Sequence, residues 1–487
     1  MQPPETQQPL CFSVRKPELI FGLGILLFGL LLCNSFLFTG ANLGVAVAAI
    51  GSILCSVGYL AACGYKPDLY SGILFVLSIL LAGGIARTDD GFVKCVCCGF
   101  LLVSTNLGLC LMAHQNCWQP GTLTSLLDAP RTAFQFGVGY SPEVFRGLTQ
   151  AFCRSGELGR KAGAFLLGLC VAVPVIGVMI PLLISADAAF DGLMALLPDF
   201  ELSELIATVI FGTGFGFVCF VRGVALRHSP KEMAAEKKRY GISSITVNTV
   251  LGAVCLLYGV YLISQLAYLS GGFAGILPEG YTMAQYARRG FFEMALLSGA
   301  NLTLMVLALC LVKKQERASL ATRLLCLFVG IVTFFLIATA SAKMFLYIGS
   351  YGLTRLRVLT QIVMLFLGVT TVVVTLWLFT PRLPYMKVVL IAALLIGAAT
   401  LWTDVDTQVA RYNVNAYLSG QQTTVDVYYL YRLGNGALPE MARLSEEAPD
   451  KEIRTTAQTY LAQKKQQIKD TDIRGWNYVN YIAGKYR

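Results

Sequence analysis

Apolar residues run along this chain in blocks of about 20, the length needed to cross a hydrocarbon layer as a helix. Eleven such blocks are expected to span, at approximately 19–38, 43–63, 69–86, 92–113, 162–184, 202–226, 244–270, 291–312, 324–342, 358–380 and 387–403. The first is too long for the apolar part of a cleaved signal peptide and no A-x-A site follows it, so it reads as an uncleaved anchor. The last starts at Lys387 and is the shortest that still qualifies. The pattern predicts an all-α fold, a polytopic bundle of transmembrane helices with a small C-terminal helical tail domain. Its expected divisions are an N-terminal segment 1–18, four helices over 19–113, a loop over 114–161, seven helices over 162–403 and a tail over 404–487.

The loops add detail to that outline. Within 114–161, Val144–Phe152 is apolar on one face with Arg146 and Arg154 beside it, the pattern of an interfacial helix. Ser229-Pro230-Lys231-Glu232 combines an N-cap, a proline at the first helical position and an acid at the third, which predicts a short helix. Its basic residues read first as a topogenic loop and second as a contact for anionic lipid heads. The tail predicts a Tyr-rich piece around Val425–Leu433, broken by Gly434, Gly436 and Pro439. A helix from Pro439 to Leu444 then packs on a polar helix near 450–469, and Trp476, Tyr478 and Tyr481 supply apolar contacts at the end.

Composition agrees with the pattern: 56% of the 487 residues are apolar and only 14% charged, against about 25% charged in soluble domains. Soluble enzymes, coiled coils, collagens and disordered chains are excluded. The net charge of +10 is mostly topology. With the N-terminus in the cytoplasm, the inner segments hold 20 basic residues and the outer loops 7, leaving 11 in the tail. That bias predicts an N-inside, tail-outside orientation. Of the 15 cysteines, Cys11, Cys117 and Cys153 fall in inner segments and the others in spans, where a thiol behaves as a small hydrophobe.

Charges that topology does not require are the candidates for chemistry, because charge at membrane depth is costly. Arg288 and Arg289 open the eighth span, with Glu293 four residues after Arg289 on the same helical face. Lys343, Arg355 and Arg357 follow at the same membrane face, with Tyr347 and Tyr351 spaced to form an aromatic belt. The five basic residues form either a site for an anionic lipid or polymer, joined by Glu293, or internal pairs with Glu293, Asp187 and the acids of the tail. Asp187 and Asp191 share one face of an acidic outer segment. They read as a solvated loop, a divalent-cation site or acid/base residues.

Other signals are weaker. Pro174 and Pro181 kink or interrupt the fifth span. Gly212-Thr-Gly214-Phe-Gly216 holds G-x-x-x-G, a pattern for close helix packing rather than a nucleotide loop. Cys95-Val-Cys97-Cys98 lacks a second pair at zinc spacing. With two histidines in all, both in inner loops, a His-based catalytic centre in the membrane is not expected, and neither H-E-x-x-H nor G-x-S-x-G occurs. No cofactor and no nucleic-acid partner are expected.

Several phrases resemble a family of multipass bacterial membrane proteins, domain of unknown function 4173. They are Ser185-Ala-Asp187 with Phe190, Tyr286-Ala-Arg288-Arg289-Gly290-Phe-Phe-Glu293, Tyr351-Gly-Leu-Thr-Arg355-Leu-Arg357, Ala410-Arg411-Tyr412-Asn413 and Arg474-Gly475-Trp476-Asn477. The resemblance covers the chain from about residue 140; before that, only hydrophobic spans are shared. One departure is Asn435-Gly-Ala-Leu-Pro439, where an acid ahead of an Ala-Val-Pro-like turn is expected. The resemblance implies a bacterial plasma-membrane protein and no particular activity. Three roles stay open: a non-enzymatic envelope protein that touches the lipid bilayer and another envelope protein through its tail, a transporter or lipid-handling protein using the basic cluster, or an enzyme on a lipid-linked substrate.

Overall fold

The computed structural model describes residues 15–154, 202–230, 242–272, 291–311, 319–467 and 472–486, with seven isolated positions between 161 and 186. The described residues form an all-α polytopic bundle. Its long helices are α1 (Lys16–Phe38), α2 (Leu43–Ala62), α3 (Leu69–Ile85) and α4 (Gly91–Met112), then the short α5 (Ser141–Arg154). They continue with α6 (Leu202–His228), α7 (Ser244–Gly272), α8 (Phe291–Leu311), α9 (Leu320–Tyr351), α10 (Arg355–Phe379) and α11 (Tyr385–Thr403). Nine of these are long and apolar enough to cross a membrane, and α3 is a shorter apolar helix of the same kind. Ten of the eleven expected spans thus fall on described helices. The fifth, 162–184, has only four isolated positions among the described residues, and the helix expected after Pro230 lies outside them.

Helix starts follow local chemistry. Asp68 caps α3 by accepting from the Ser71 N–H at 3.0 Å. Ser319 caps α9 through the Thr322 N–H at 3.1 Å, and Asp90 caps α4 through the N–H groups of Phe92 and Val93. Each carboxylate or hydroxyl satisfies donors that the first helical turn leaves open. Gly352, at φ 75°, closes α9 in a backbone conformation that only glycine adopts cheaply.

The spans fall into two groups. One packs α1–α4, α6 and α11 around a core that includes Ile25, Leu74, Leu81, Leu226 and Leu401. The other packs α7–α10 around Leu251, Met305, Val329, Leu336 and Met364. Lipid tails are as apolar as leucine, so close approach and hydrogen bonds have to hold spans together. The close approach is clearest where α1 crosses α6. A Cβ on Gly29 would stand 2.8 Å from the Gly212 carbonyl oxygen and 3.1 Å from the Gly216 Cα, so the G-x-x-x-G is a packing face. The hydrogen bonds include Ser78 with Ser104 between α3 and α4, and Tyr258–Asn301–Thr333 across α7, α8 and α9.

Beyond α11 the chain continues as α12 (Val405–Leu418), α13 (Val427–Arg432), α14 (Leu438–Glu447), α15 (Lys451–Gln467) and α16 (Tyr478–Gly484). α12 has no counterpart in the sequence reading, because its apolar positions are interleaved with Asp, Gln, Arg and Asn. Val409, Val414, Leu430, Met441, Leu444 and Ala457 form a separate core for this tail. The tail rests on the end of the bundle where α1, α3, α9 and α11 finish and α2, α4 and α10 begin. That end is called the tail side below.

Candidate functional site

The tail meets the bundle through a seam of buried charge. Three turns build it: Ala86–Asp90 between α3 and α4, Tyr351–Arg355 between α9 and α10, and Asp404 between α11 and α12. Arg355, the first residue of α10, donates Nε to Asp406 Oδ1 at 2.6 Å and Nη2 to Asp406 Oδ2, a two-toothed pairing with the start of α12. The same guanidinium lies 3.3 Å from Asp90 Oδ2. Both carboxylates are buried, at 2–3% side-chain exposure, while Arg355 keeps 38%. One arginine therefore joins α4 and the tail. Arg355 suits this place because its planar fork satisfies a carboxylate along two bonds.

The surrounding groups complete the seam. Asp404 accepts the Thr88 hydroxyl at 2.6 Å and caps α12 through the Thr407 N–H at 3.2 Å. Lys94 reaches out of α4 to the Ala41 carbonyl and Asn42 Oδ1 at 2.6 and 2.9 Å. The Asn413 amide pairs with both backbone groups of Leu353, each at 2.7 Å. Gly434 brings its N–H to Asp406 Oδ2 at 3.1 Å. A Cβ at Gly436 would lie 2.6 Å from Asp404 Oδ2, so the helix-breaking glycines also allow close approach.

Lys464, on α15, is buried and donates to the carbonyls of Tyr431, Leu433 and Gly434. Three acceptors match the three N–H bonds of an ammonium. Burial pushes its pKa down to about 8, with Asp406 and Asp89 opposing the shift.

A strap then returns to the first helices. The Trp476 carbonyl accepts the Leu43 N–H at 3.0 Å, and the Tyr478 N–H donates to the Ala86 carbonyl at 2.9 Å. Asn477 reaches the Thr88 carbonyl and Asn42, and Arg474 reaches Asn34. Arg87 stacks over the Tyr478 ring at 3.6 Å.

Of the residues singled out in the sequence, Arg355 sits at the centre of the seam. Arg357 donates to the carbonyls of Tyr351 and Gly352 and lies 3.9 Å over the Tyr347 ring. Lys343 is half-buried on α9, and Glu293 is exposed in the first turn of α8. Arg288, Arg289, Asp187 and Asp191 lie outside the described residues. Sequence reasoning missed Asp90, Lys94, Asp404, Asp406 and Lys464. The available signal was position, since Thr88-Asp89-Asp90 and Asp404-Val405-Asp406 each abut a span at the tail side.

A second buried pair at the opposite end was also missed. Glu18, fully buried, accepts from Arg227, from the Tyr59 hydroxyl at 3.3 Å and from the Arg15 N–H at 3.0 Å. It ties α1, α2 and α6 together. Among the described residues, no three His, Cys, Asp or Glu side chains are grouped as metal ligands.

Comparison with curated proteins and with solved structures gives no match. A family model described as Domain of unknown function (DUF4153) matches residues 26–444. The expected family of unknown function is thus found, though the model that matches is not that of family 4173, and the match takes in the first spans, which that resemblance left out. It includes Asp90, Lys94, Arg355, Asp404 and Asp406, and stops before Lys464 and the strap. The chain therefore belongs to the family described as Domain of unknown function (DUF4153).

Proposed function

We propose that this is a bacterial plasma-membrane protein with its N-terminus inside and its tail outside, and that it acts without catalysis as a structural or assembly component of the envelope. The observation that carries this reading is the seam. Arg355, shared between Asp90 and Asp406, sets the tail as a fixed cap on the bundle rather than a tethered domain. A fixed cap presents one constant surface to a partner, which is what assembly requires. Charges at both ends of the bundle are spent on holding helices together, in Glu18 with Arg227 as in Arg355 with its two aspartates. The excess of basic residues on the segments opposite the tail supports the orientation.

The test is cross-linking in native membranes with the full chain. Wild-type protein is expected to capture an envelope membrane protein that the Arg355→Gln/Asp406→Asn variant loses. Capture that persists unchanged after the tail is loosened, or solute movement by the purified protein in vesicles, overturns the reading. A C-terminal reporter active only in the cytoplasm overturns the orientation.

A further inference from the structure

Below the seam, α4, α10 and α11 leave a groove of about 190 Å³ between the two helix groups. Its walls include Phe92 and Val96 from α4, Leu359 and Val363 from α10, and Ile396 and Thr400 from α11. We propose that this groove holds one acyl chain of a phospholipid from the leaflet on the tail side, with the lipid's phosphate at Arg355.

Four observations point to that occupant. The lining is hydrocarbon apart from two groups, and both are already satisfied. Thr400 donates to the Ile396 carbonyl at 2.8 Å, and the Cys97 thiol faces the Gly397 carbonyl at 3.7 Å. Water has nothing to bond there, and an apolar cavity of roughly 150 Å³ is already known to stay dry and take hydrocarbon. Depth is the second observation. From Phe92 to the groove residue Phe100 α4 rises about 12 Å, which fits inside a leaflet of roughly 15 Å.

Placement is the third. The groove lies within spans and where the two helix groups meet, so the surrounding medium is lipid. The fourth is the rim. Arg355 stands one turn before Leu359 on the same face of α10, and Asp90 caps α4 just ahead of Phe92. Arg355 spends Nε and Nη2 on Asp406, and among the described residues its Nη1 has no partner. An exposed guanidinium edge above an apolar slot matches the order of phosphate and chain in a phospholipid. This inference does not depend on the assembly role.

Full-length protein purified in mild detergent, analysed by native mass spectrometry with phospholipid quantified by extraction, tests it. Wild-type protein is expected to retain about one phospholipid per chain. Val363→Trp, which fills the groove from an exposed position on α10, should lower retention at least about tenfold. Val96→Trp should do the same from α4, so the test does not hang on one variant folding. Leu365→Trp, at an exposed position of α10 that is not part of the groove's walls, should retain the lipid. Wild-type protein without stoichiometric phospholipid, or equal retention in the groove variants and Leu365→Trp, overturns the proposal.

Discussion

Replacing Asp406 with asparagine keeps the shape of the side chain and removes its charge. One of the two oxygens that now accept from Arg355 and from the Gly434 N–H becomes an amide nitrogen facing a donor. Removing one member of a buried ion pair costs about 3–5 kcal/mol. Here the loss is smaller, because Arg355 keeps 38% of its side-chain surface in solvent and still has Asp90 at 3.3 Å. Screening and the second carboxylate bring the expected cost to about 1–2 kcal/mol. If the tail opens as a unit, that is roughly a 5–30-fold rise in its open population. Hydrogen exchange of the Leu430 and Leu433 amides, which bond within α13, reads that population in full-length protein. Arg355→Gln should raise exchange similarly, and the double variant should fall well short of the sum of the two. Unchanged exchange in Asp406→Asn, or additive effects in the double variant, would refute the idea that this pair holds the tail.

Three further predictions concern the same forces elsewhere. The Lys464 ammonium titrates near pH 8 in the folded tail and near 10.4 in an unfolded chain. The unfolded state therefore binds more protons between those values, and this group's contribution makes the tail more stable as pH rises from 8 to 10. Lys464→Met should remove that increment, so parallel pH profiles of wild-type and variant stability would contradict it. Glu18→Gln leaves Arg227 facing an amide in a closed site, and should cost about 2–4 kcal/mol, read as a lower Tm for the purified protein. Gly29→Val drives a side chain into the Gly212 carbonyl at the crossing of α1 and α6. It should cost about 1–3 kcal/mol, whereas Gly58→Ala, facing open space on α2, should leave the Tm in place.

The spans were legible because one rule acts on consecutive residues. A helix in hydrocarbon satisfies its own backbone, so a stretch of about 20 apolar residues identifies itself without its neighbours. The seam obeys no such local rule. Asp90 and Asp404 each read alone as ordinary N-caps, and both do cap helices. Their second role depends on a partner far along the chain, as Thr88 and Asp404 show at 316 residues apart. Arg355 stands out in the sequence as a charge on the face that the charge bias disfavours, and pairing to a tail acid is one of the two alternatives the sequence allows. Its other partner, Asp90, was hidden because turn acids are common. Lys464 was invisible for another reason: its acceptors are backbone carbonyls, which every residue carries.

The strap ties Asn477 to Asn42, 435 residues earlier in the chain. At about 5–20 residues per second, a ribosome needs roughly 20–90 s to make the segment between them. For that interval α1 and α2 are in the membrane while the Leu43 N–H lacks the carbonyl it will use. The α1–α2 hairpin is thus completed only once the strap, 435 residues later, has been made. A chain made only as far as α15 therefore leaves the Leu43 N–H open at the start of α2.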